Sequence, residues 1–262
     1  MQRGAFYSIV FAGLVCLVCA VVVSSSAVTL RERQETNAFL DKQRNVLVAA
    51  GLATEDEELS REEIERRFEP IQTVVVDLRS GAELPDVDPG TFDQRAATSD
   101  PSQSRVAPEN RAGIQRVPEQ ALVYRLEEDG RLSLLILPVE GKGLWSTLYG
   151  FLALDSDLRT VRGITFYEHK ETPGLGGEVD NPRWKALWPG RIALDENLDP
   201  KLEVIRGQAG SPEEDPHRVD GLAGATMTSR GVSYLVQFWL DEGGFRPYLE
   251  AIREQAQTGG EG

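Results

Sequence analysis

Cysteine is nearly absent. The 262-residue chain has two, Cys16 and Cys19, and both lie in one N-terminal apolar run. The rest of the chain can therefore hold no disulfide framework, thiolate metal site or iron–sulfur cluster of its own. Histidine is as scarce. His169 and His217 are the only imidazoles, too few for an all-protein zinc site. We accordingly assign no metal ligands and no catalytic residues. Cations are outnumbered, 28 Lys and Arg against 42 Asp and Glu, a net charge of −14. That excess argues against a nucleic-acid partner and reads as a soluble acidic surface. No Gly-x-Gly-x-x-Gly follows a strand pattern and opens a helix, so the chain shows no dinucleotide-binding fingerprint. No internal repeat is evident.

Charge is missing altogether from residues 4–30. As a helix this run reaches roughly 40 Å at ~1.5 Å per residue, enough to cross a bilayer core of about 30 Å with some tilt. The alternative is a cleaved signal peptide, since Ser25-Ser26-Ala27 offers small residues, although the run is long for a signal core. Val15 and Val18 precede the cysteines, where lipoprotein processing would want a small residue. Arg3 flanks one end and Arg31 and Arg33 the other, so charge alone does not orient the span. We expect the bulk of the chain outside the cytoplasm. A single span without charged residues offers no path for an ion.

Beyond the span, residues 29–50 read as a continuing helix that Gly51 ends. Ser60-Arg-Glu-Glu63 matches a capping box and opens a short helix through Phe68. Residues 73–78 are β-branched and apolar, hence a strand. From about 81 to 119 the chain turns polar, with five prolines, and reads as a long loop with little core. Strands are expected at 122–126, 132–139, 148–154 and 161–167. The first two are joined by Asp129-Gly130, a hairpin turn. Pro182 should start a short helix through Leu187. A last strand is expected at 201–206 and a loop at 207–219. Helices follow at 228–241 and 245–255. The expected organisation is an anchor (1–30), a helical and linker region with one strand (31–120), a main domain (121–256) and a disordered tail (257–262). Strands in the middle and helices at both ends predict an α+β fold: one N-terminal transmembrane helix, then a domain with a mostly antiparallel sheet and flanking helices.

Two glycine-rich stretches carry candidate chemistry. In Asp220-Gly-Leu-Ala-Gly-Ala-Thr-Met-Thr-Ser-Arg-Gly231 a flexible turn feeds a helix whose apolar residues fall at Val232, Leu235, Val236, Trp239 and Leu240. Thr226, Thr228 and Ser229 then sit at or just before a helix N-terminus, which favours an anion. One reading is that Thr226 or Ser229 caps the helix; the other is that a threonine hydroxyl carries a phosphate ester. In His169-Lys-Glu-Thr-Pro-Gly-Leu-Gly-Gly177, glycines at 174, 176 and 177 leave backbone open to a flat ring or phosphate. The alternative is a tight strand-to-helix connection. A third turn, Gly141-Lys-Gly-Leu-Trp-Ser-Thr147, presents Trp145, either to an aromatic ligand or to the core.

Together these stretches resemble the covalent FMN-binding domain family and, within it, the C subunits of sodium-translocating NADH:quinone reductases. The likeness also takes in the N-terminal anchor, Asn45-Val-Leu-Val-Ala-Ala-Gly-Leu52, Tyr149-Gly-Phe-Leu-Ala-Leu154 and Gly163-Ile-Thr-Phe-Tyr-Glu-His169. The resemblance implies FMN held by a phosphoester to Thr226, with Thr228 as the fallback acceptor and a separate flavin transferase making the bond. Ala223 stands where the family usually has serine or threonine. With FMN there, we expect a cofactor site of Trp145, Glu171, Thr172, Gly174, Leu175, Gly176, Gly224, Ala225 and Thr228, and, on charge alone, Arg206 or Lys142 at the phosphate or the ring carbonyls. The resemblance further implies a flavoprotein component of a membrane NADH:ubiquinone reductase complex. That component would relay electrons beside partner subunits in the cell inner membrane, its soluble part on the periplasmic side, without complete activity alone. The alternatives are a component of the related Rnf-type complex, or an anchored FMN-binding sensor domain without turnover.

Overall fold

A computed structural model describes residues 2–259. Contacts divide the chain at Lys42 into an N-terminal helical unit and a main body. Helix α1 runs from Gln2 to Ala49. Within it, Phe6–Arg31 is long and apolar enough to cross a membrane, with a mean hydropathy of 2.7. Gly51 ends the helix as expected. At φ +71° it takes the left-handed conformation, and the amides of Gly51 and Leu52 return to the carbonyls of Val48 and Leu47 at 3.0 and 2.9 Å. That pair of bonds satisfies carbonyls the helix end would otherwise leave bare.

The body is built on a five-stranded antiparallel sheet of order β1-β4-β5-β6-β7. Its strands are β1 (Ile71–Asp77), β4 (Gln120–Glu128), β5 (Arg131–Lys142), β6 (Thr147–Asp155) and β7 (Val161–Glu168). All five strands expected from the apolar pattern between 73 and 167 are present. Asp129 and Gly130 both have positive φ, 51° and 72°, the turn whose twist matches an antiparallel hairpin.

Both faces of the sheet are covered. On one, Val123, Leu135, Leu137, Leu152 and Ile164 pack in the core with Leu235, Val236 and Trp239 of helix α5 (Thr226–Trp239). Tyr248 and Leu249 of helix α6 (Arg246–Gly259) join the same core. Each large side chain so buried contributes roughly 1.5–3 kcal/mol. Trp239 also donates its indole N–H to the Glu140 carbonyl at 2.7 Å, which ties α5 to β5. On the other face the last turns of α1 settle on β7. Val46 and Leu47 are fully buried, and Thr165 donates its hydroxyl to the Asn45 carbonyl at 3.2 Å. Helix α2 (Arg61–Phe68) adds Ile64 and a Phe68 ring edge-on to Tyr124. Ser60 caps it by accepting the Glu63 amide at 3.3 Å. The Glu63 carboxylate is taken up by Arg66 and Arg67.

Four expectations need correction. The polar excursion is ordered: it carries α3 (Gln94–Ser99) and a small antiparallel pair, β2 (Ser104–Val106) and β3 (Arg116–Pro118). Arg95 of α3 lies over the Tyr149 ring, 3.7 Å from its centroid, and pairs with Glu168 at 2.7 Å. The strand expected at 201–206 is only β8 (Glu203–Val204). It pairs in parallel with β9 (Arg218–Val219), inside a segment expected to be loop. The short helix α4 spans Pro182–Lys185 and stops before Leu187. Helix α6 continues through 257–259, where a disordered tail was expected, and 260–262 lie outside the described residues.

Gly163 is a point of close approach between α1 and β7. A Cβ there would stand 2.5 Å from the Ala49 carbonyl oxygen, a backbone atom that cannot swing away. Gly163→Ala should cost about 1–3 kcal/mol through overpacking and lower Tm by several degrees. An unchanged thermal unfolding curve would mean the helix end does not seat on the strand as described.

Candidate functional site

Three chain segments meet where α5 begins. One is the turn 143–146 between β5 and β6. The second is the loop 169–177 that leaves β7. The third is the turn 220–225 that enters α5. The meeting point is the Glu171 side chain, which is 5% exposed. Its Oε1 accepts the amides of Trp145 at 2.9 Å and Ser146 at 3.2 Å. Its Oε2 accepts the Leu144 amide at 3.2 Å and the Thr228 hydroxyl at 2.7 Å. Burial alone would raise the pKa of this carboxyl. The Thr228 hydroxyl and the amides of Trp145, Leu144 and Ser146 outweigh it, and the group is held below the ordinary glutamate value.

Glycines are needed for that convergence. A Cβ on Gly176 would stand 2.6 Å from Thr228 Oγ1 and 2.7 Å from Glu171 Oε2, and one on Gly143 would stand 2.6 Å from Glu171 Oε1. Gly231 lets α5 approach β5, since a Cβ there would lie 2.4 Å from the Lys142 carbonyl. Two further bonds hold the loops. Ser146 Oγ accepts the Lys170 amide at 2.7 Å. His169 Nδ1 accepts the Glu171 amide at 3.2 Å, while Nε2 faces Asp180 at 2.7 Å. That arrangement puts the neutral ring's proton on Nε2.

The helix entrance is laid out differently from the capping alternative. The residue before the first turn of α5 is Ala225, and no side chain caps the helix. Ser229 instead accepts the Leu222 amide at 3.0 Å and donates to the Ala225 carbonyl at 3.1 Å, pinning the preceding turn. Thr228 is fully buried. Thr226, expected just ahead of the helix, is its first residue and is exposed.

Around Thr226 the surface is unusually apolar. Three of the four tryptophans are buried, Trp184, Trp188 and Trp239, whereas Trp145 is 70% exposed. Leu144, Leu175 and Met227 are 44%, 44% and 55% exposed. Leu175 reaches the Gly224 turn, where a Cβ would meet its Cδ2 at 2.9 Å. Thr172 and Gly174 are exposed on the same loop, and Gly174 turns it at φ +74°.

Of the residues expected to line a cofactor, Trp145, Thr172, Gly174, Leu175, Gly224 and Thr226 present themselves at this surface. Glu171, Gly176, Ala225 and Thr228 are buried beneath it. Glu171 and Thr228 therefore act on the site by holding its loops. Arg206 is exposed on a turn next to Gly221, whose Cβ would stand 3.4 Å from the Arg206 Cα. Lys142 lays its stem along Gly113. Gly143, Leu144, Ser146 and Met227 also belong here, although the sequence alone did not single them out. The first three lie inside the motif already marked by Trp145, and Met227 directly follows the threonine.

Glu171→Gln replaces a four-fold acceptor with an amide that must face at least one N–H donor with its own NH2. The expected cost is about 1–3 kcal/mol at neutral pH. Because the folded pKa is depressed, Glu171 stabilises fully above its ordinary value of 4.5 and loses that contribution as pH falls through the folded value. The gap in unfolding free energy between wild type and Glu171→Gln should be widest near pH 7 and narrow below about pH 4.5. Urea titrations of both proteins across that range test this; a gap independent of pH would contradict an ionised Glu171.

Known proteins resemble this chain over nearly all of its length. The sequence model of the FMN-binding domain family matches residues 143–241, the span that holds all three converging segments. The C subunit of the Na(+)-translocating NADH-quinone reductase of Pseudomonas aeruginosa is 46% identical over 257 residues, covering 97% of this chain and 98% of that protein. The corresponding C subunit of Yersinia pestis is 44% identical, covering 94% and 92%. The crystal structure of Shewanella oneidensis NqrC superposes with a TM-score of 0.75 at 33% identity, over 82% of this chain and 97% of that one. With the antiparallel sheet, the flanking helices and the apolar N-terminal helix in their company, this chain belongs to the family of Na(+)-translocating NADH-quinone reductase C subunits, components of an oxidoreductase complex.

Proposed function

We propose that Thr226 carries FMN through a phosphoester on its hydroxyl, and that the protein relays electrons within a sodium-pumping NADH:ubiquinone reductase complex. The observation that carries this reading is the contrast between two threonines on the first turn of one helix. Thr226 stands exposed at the uncapped start of α5. Thr228 is sealed, with its hydroxyl donated to Glu171. A modifying enzyme can reach the first and not the second. The family's usual serine or threonine at 223 is an exposed alanine here, which leaves the acceptor itself untouched.

The residues at the surface suit such a group. The ester forms by transfer of the flavin phosphoryl group from a flavin dinucleotide: the Thr226 Oγ1–P bond is made, the donor's pyrophosphate P–O bond is broken, the nucleoside monophosphate leaves with the hydroxyl proton lost to solvent, and one negative charge stays on the phosphate. Unpaired N–H groups at the helix start favour that charge by about 0.3–1 kcal/mol, up to ~2 when partly buried. Trp145, Leu144, Leu175 and Met227 supply apolar contact for a ring system, and Thr172 offers a hydroxyl at its edge. The flavin itself supplies the redox chemistry. A covalent tether keeps it at a fixed local concentration whatever the affinity of its oxidised and reduced forms.

The rest of the assignment follows the family. The partners are the other subunits of the complex and, during maturation, a flavin transferase. The helix Phe6–Arg31 serves as a single-pass anchor in the cell inner membrane, with the body on the periplasmic side.

Co-expression with a flavin transferase, followed by denaturing electrophoresis, should give a band fluorescent under ultraviolet light. Thr226→Val should abolish the signal and Thr228→Val should keep it, though the latter loses a buried hydrogen bond and about 1 kcal/mol. A dark wild-type band would remove the tethered flavin. A signal that depends on Thr228 would move it.

A further inference from the structure

We propose that Arg230 is the cation facing the phosphate on Thr226, a positioning residue for the tethered nucleotide. The proposal rests on the Thr226 assignment and goes beyond it by naming the group that orients the ester.

The buried side of α5 fixes which way these two residues point. Thr228, Ser229, Gly231, Val232, Leu235 and Val236 all face inward. Thr226 and Arg230, four positions apart, are both exposed. Residues four apart on a helix have Cβ atoms about 5–6 Å from each other. Every Cα–Cβ bond tilts toward the helix N-terminus, so a long side chain at 230 covers the turn that holds 226. An arginine at this place reaches the substituents of the Thr226 oxygen without any backbone change.

Arg230 is also uncommitted. Among the described residues it forms no ion pair or hydrogen bond. Several other arginines of the body are engaged: Arg95 with Glu168, Arg125 with Glu83, Arg246 with Asp199. Arg191 is buried and bonded to the carbonyls of Leu187, Gly210 and Asp215. Of the two cations expected near the phosphate, Lys142 lays its stem along Gly113, and Arg206 sits on a neighbouring turn beside Gly221, on a different element from the threonine.

The chemistry of the pair is specific. A phosphodiester has two non-bridging oxygens sharing one charge, and a guanidinium presents two parallel N–H groups to such a pair. The helix amides would face a phosphate on Thr226 along the axis of α5, and Arg230 would face it from the flank. Held from two directions, the ester loses the freedom to swing about the threonine Cβ–Oγ1 bond.

The test uses the full chain in detergent, prepared with and without a co-expressed flavin transferase. Tm is measured for both forms of the wild type and of Arg230→Gln, Arg230→Lys and Arg206→Gln. Arg230→Gln should lower Tm of the flavin-loaded form by roughly 2–4 °C and leave the unloaded form within about 1 °C. That difference should shrink at about 1 M salt, where the Debye length falls to ~3 Å. Arg230→Lys should recover part of it, and Arg206→Gln should show no loss that depends on flavin. If Arg230→Gln blocks loading and Arg230→Lys restores it, the cation is required at an earlier stage and the proposal stands. Equal shifts in both forms, no shift in either, loading that lysine does not restore, or a flavin-dependent loss at Arg206 would each overturn it. A wild-type chain with no tethered flavin sinks the Thr226 assignment as well, and is recognised before any variant at 230 is made.

Discussion

A carboxylate buried among hydrogen-bond donors governs the candidate site. Glu171 comes from the loop after β7, and it is met by three amides of the β5–β6 turn and a hydroxyl from α5. A buried charge without such partners would be several kcal/mol uphill. With them, the charge becomes the reason three separate segments adopt one arrangement. Thr228, fully buried, would otherwise leave its hydroxyl without a partner away from water. The consequence extends outward: Trp145 and Leu144 are presented because their own amides are held from below.

The sheet supplies the stiffness behind that arrangement. Strands β4 to β7 form a continuous antiparallel meander with helices on both faces. Both loops that reach Glu171 leave from the same end of β5, β6 and β7, so the strand register sets their separation. The glycines at 143, 176 and 231 are where segments touch with no room for a side chain. A site on such a frame is positioned by packing, and the exposed apolar groups around Thr226 can stay exposed without loosening it.

Much of this was readable in the sequence, for reasons that are local. The five strands announce themselves by their apolar, β-branched runs. The hairpin turn is an Asp-Gly pair, and α1 ends at the one glycine able to take a left-handed turn there. The motif glycines marked the site, and the resemblance to the C subunits set aside the Rnf-type alternative once the relatives were compared. What could not be read depends on partners distant in the chain. Glu171 and Thr228 are 57 positions apart, and no periodicity reports their bond. The excursion between 81 and 119 is polar and rich in proline, yet it is ordered because Arg95 stacks on Tyr149 and Gln94 accepts the Leu122 amide. Strands β8 and β9 are two residues long on each side, below any pattern. The exposure of Trp145 was open between core and surface, since an indole in a glycine-rich turn suits either.

The distribution of indoles gives the molecule a built-in spectroscopic address. Trp184, Trp188 and Trp239 are enclosed by the core, and Trp145 alone stands in solvent. Emission from the enclosed three falls at the blue side and that of Trp145 at the red side, where a water-soluble quencher also acts selectively. Light collected at the red edge is therefore enriched in emission from the β5–β6 turn, and a water-soluble quencher isolates that share, so events at the turn can be followed in the unlabelled protein.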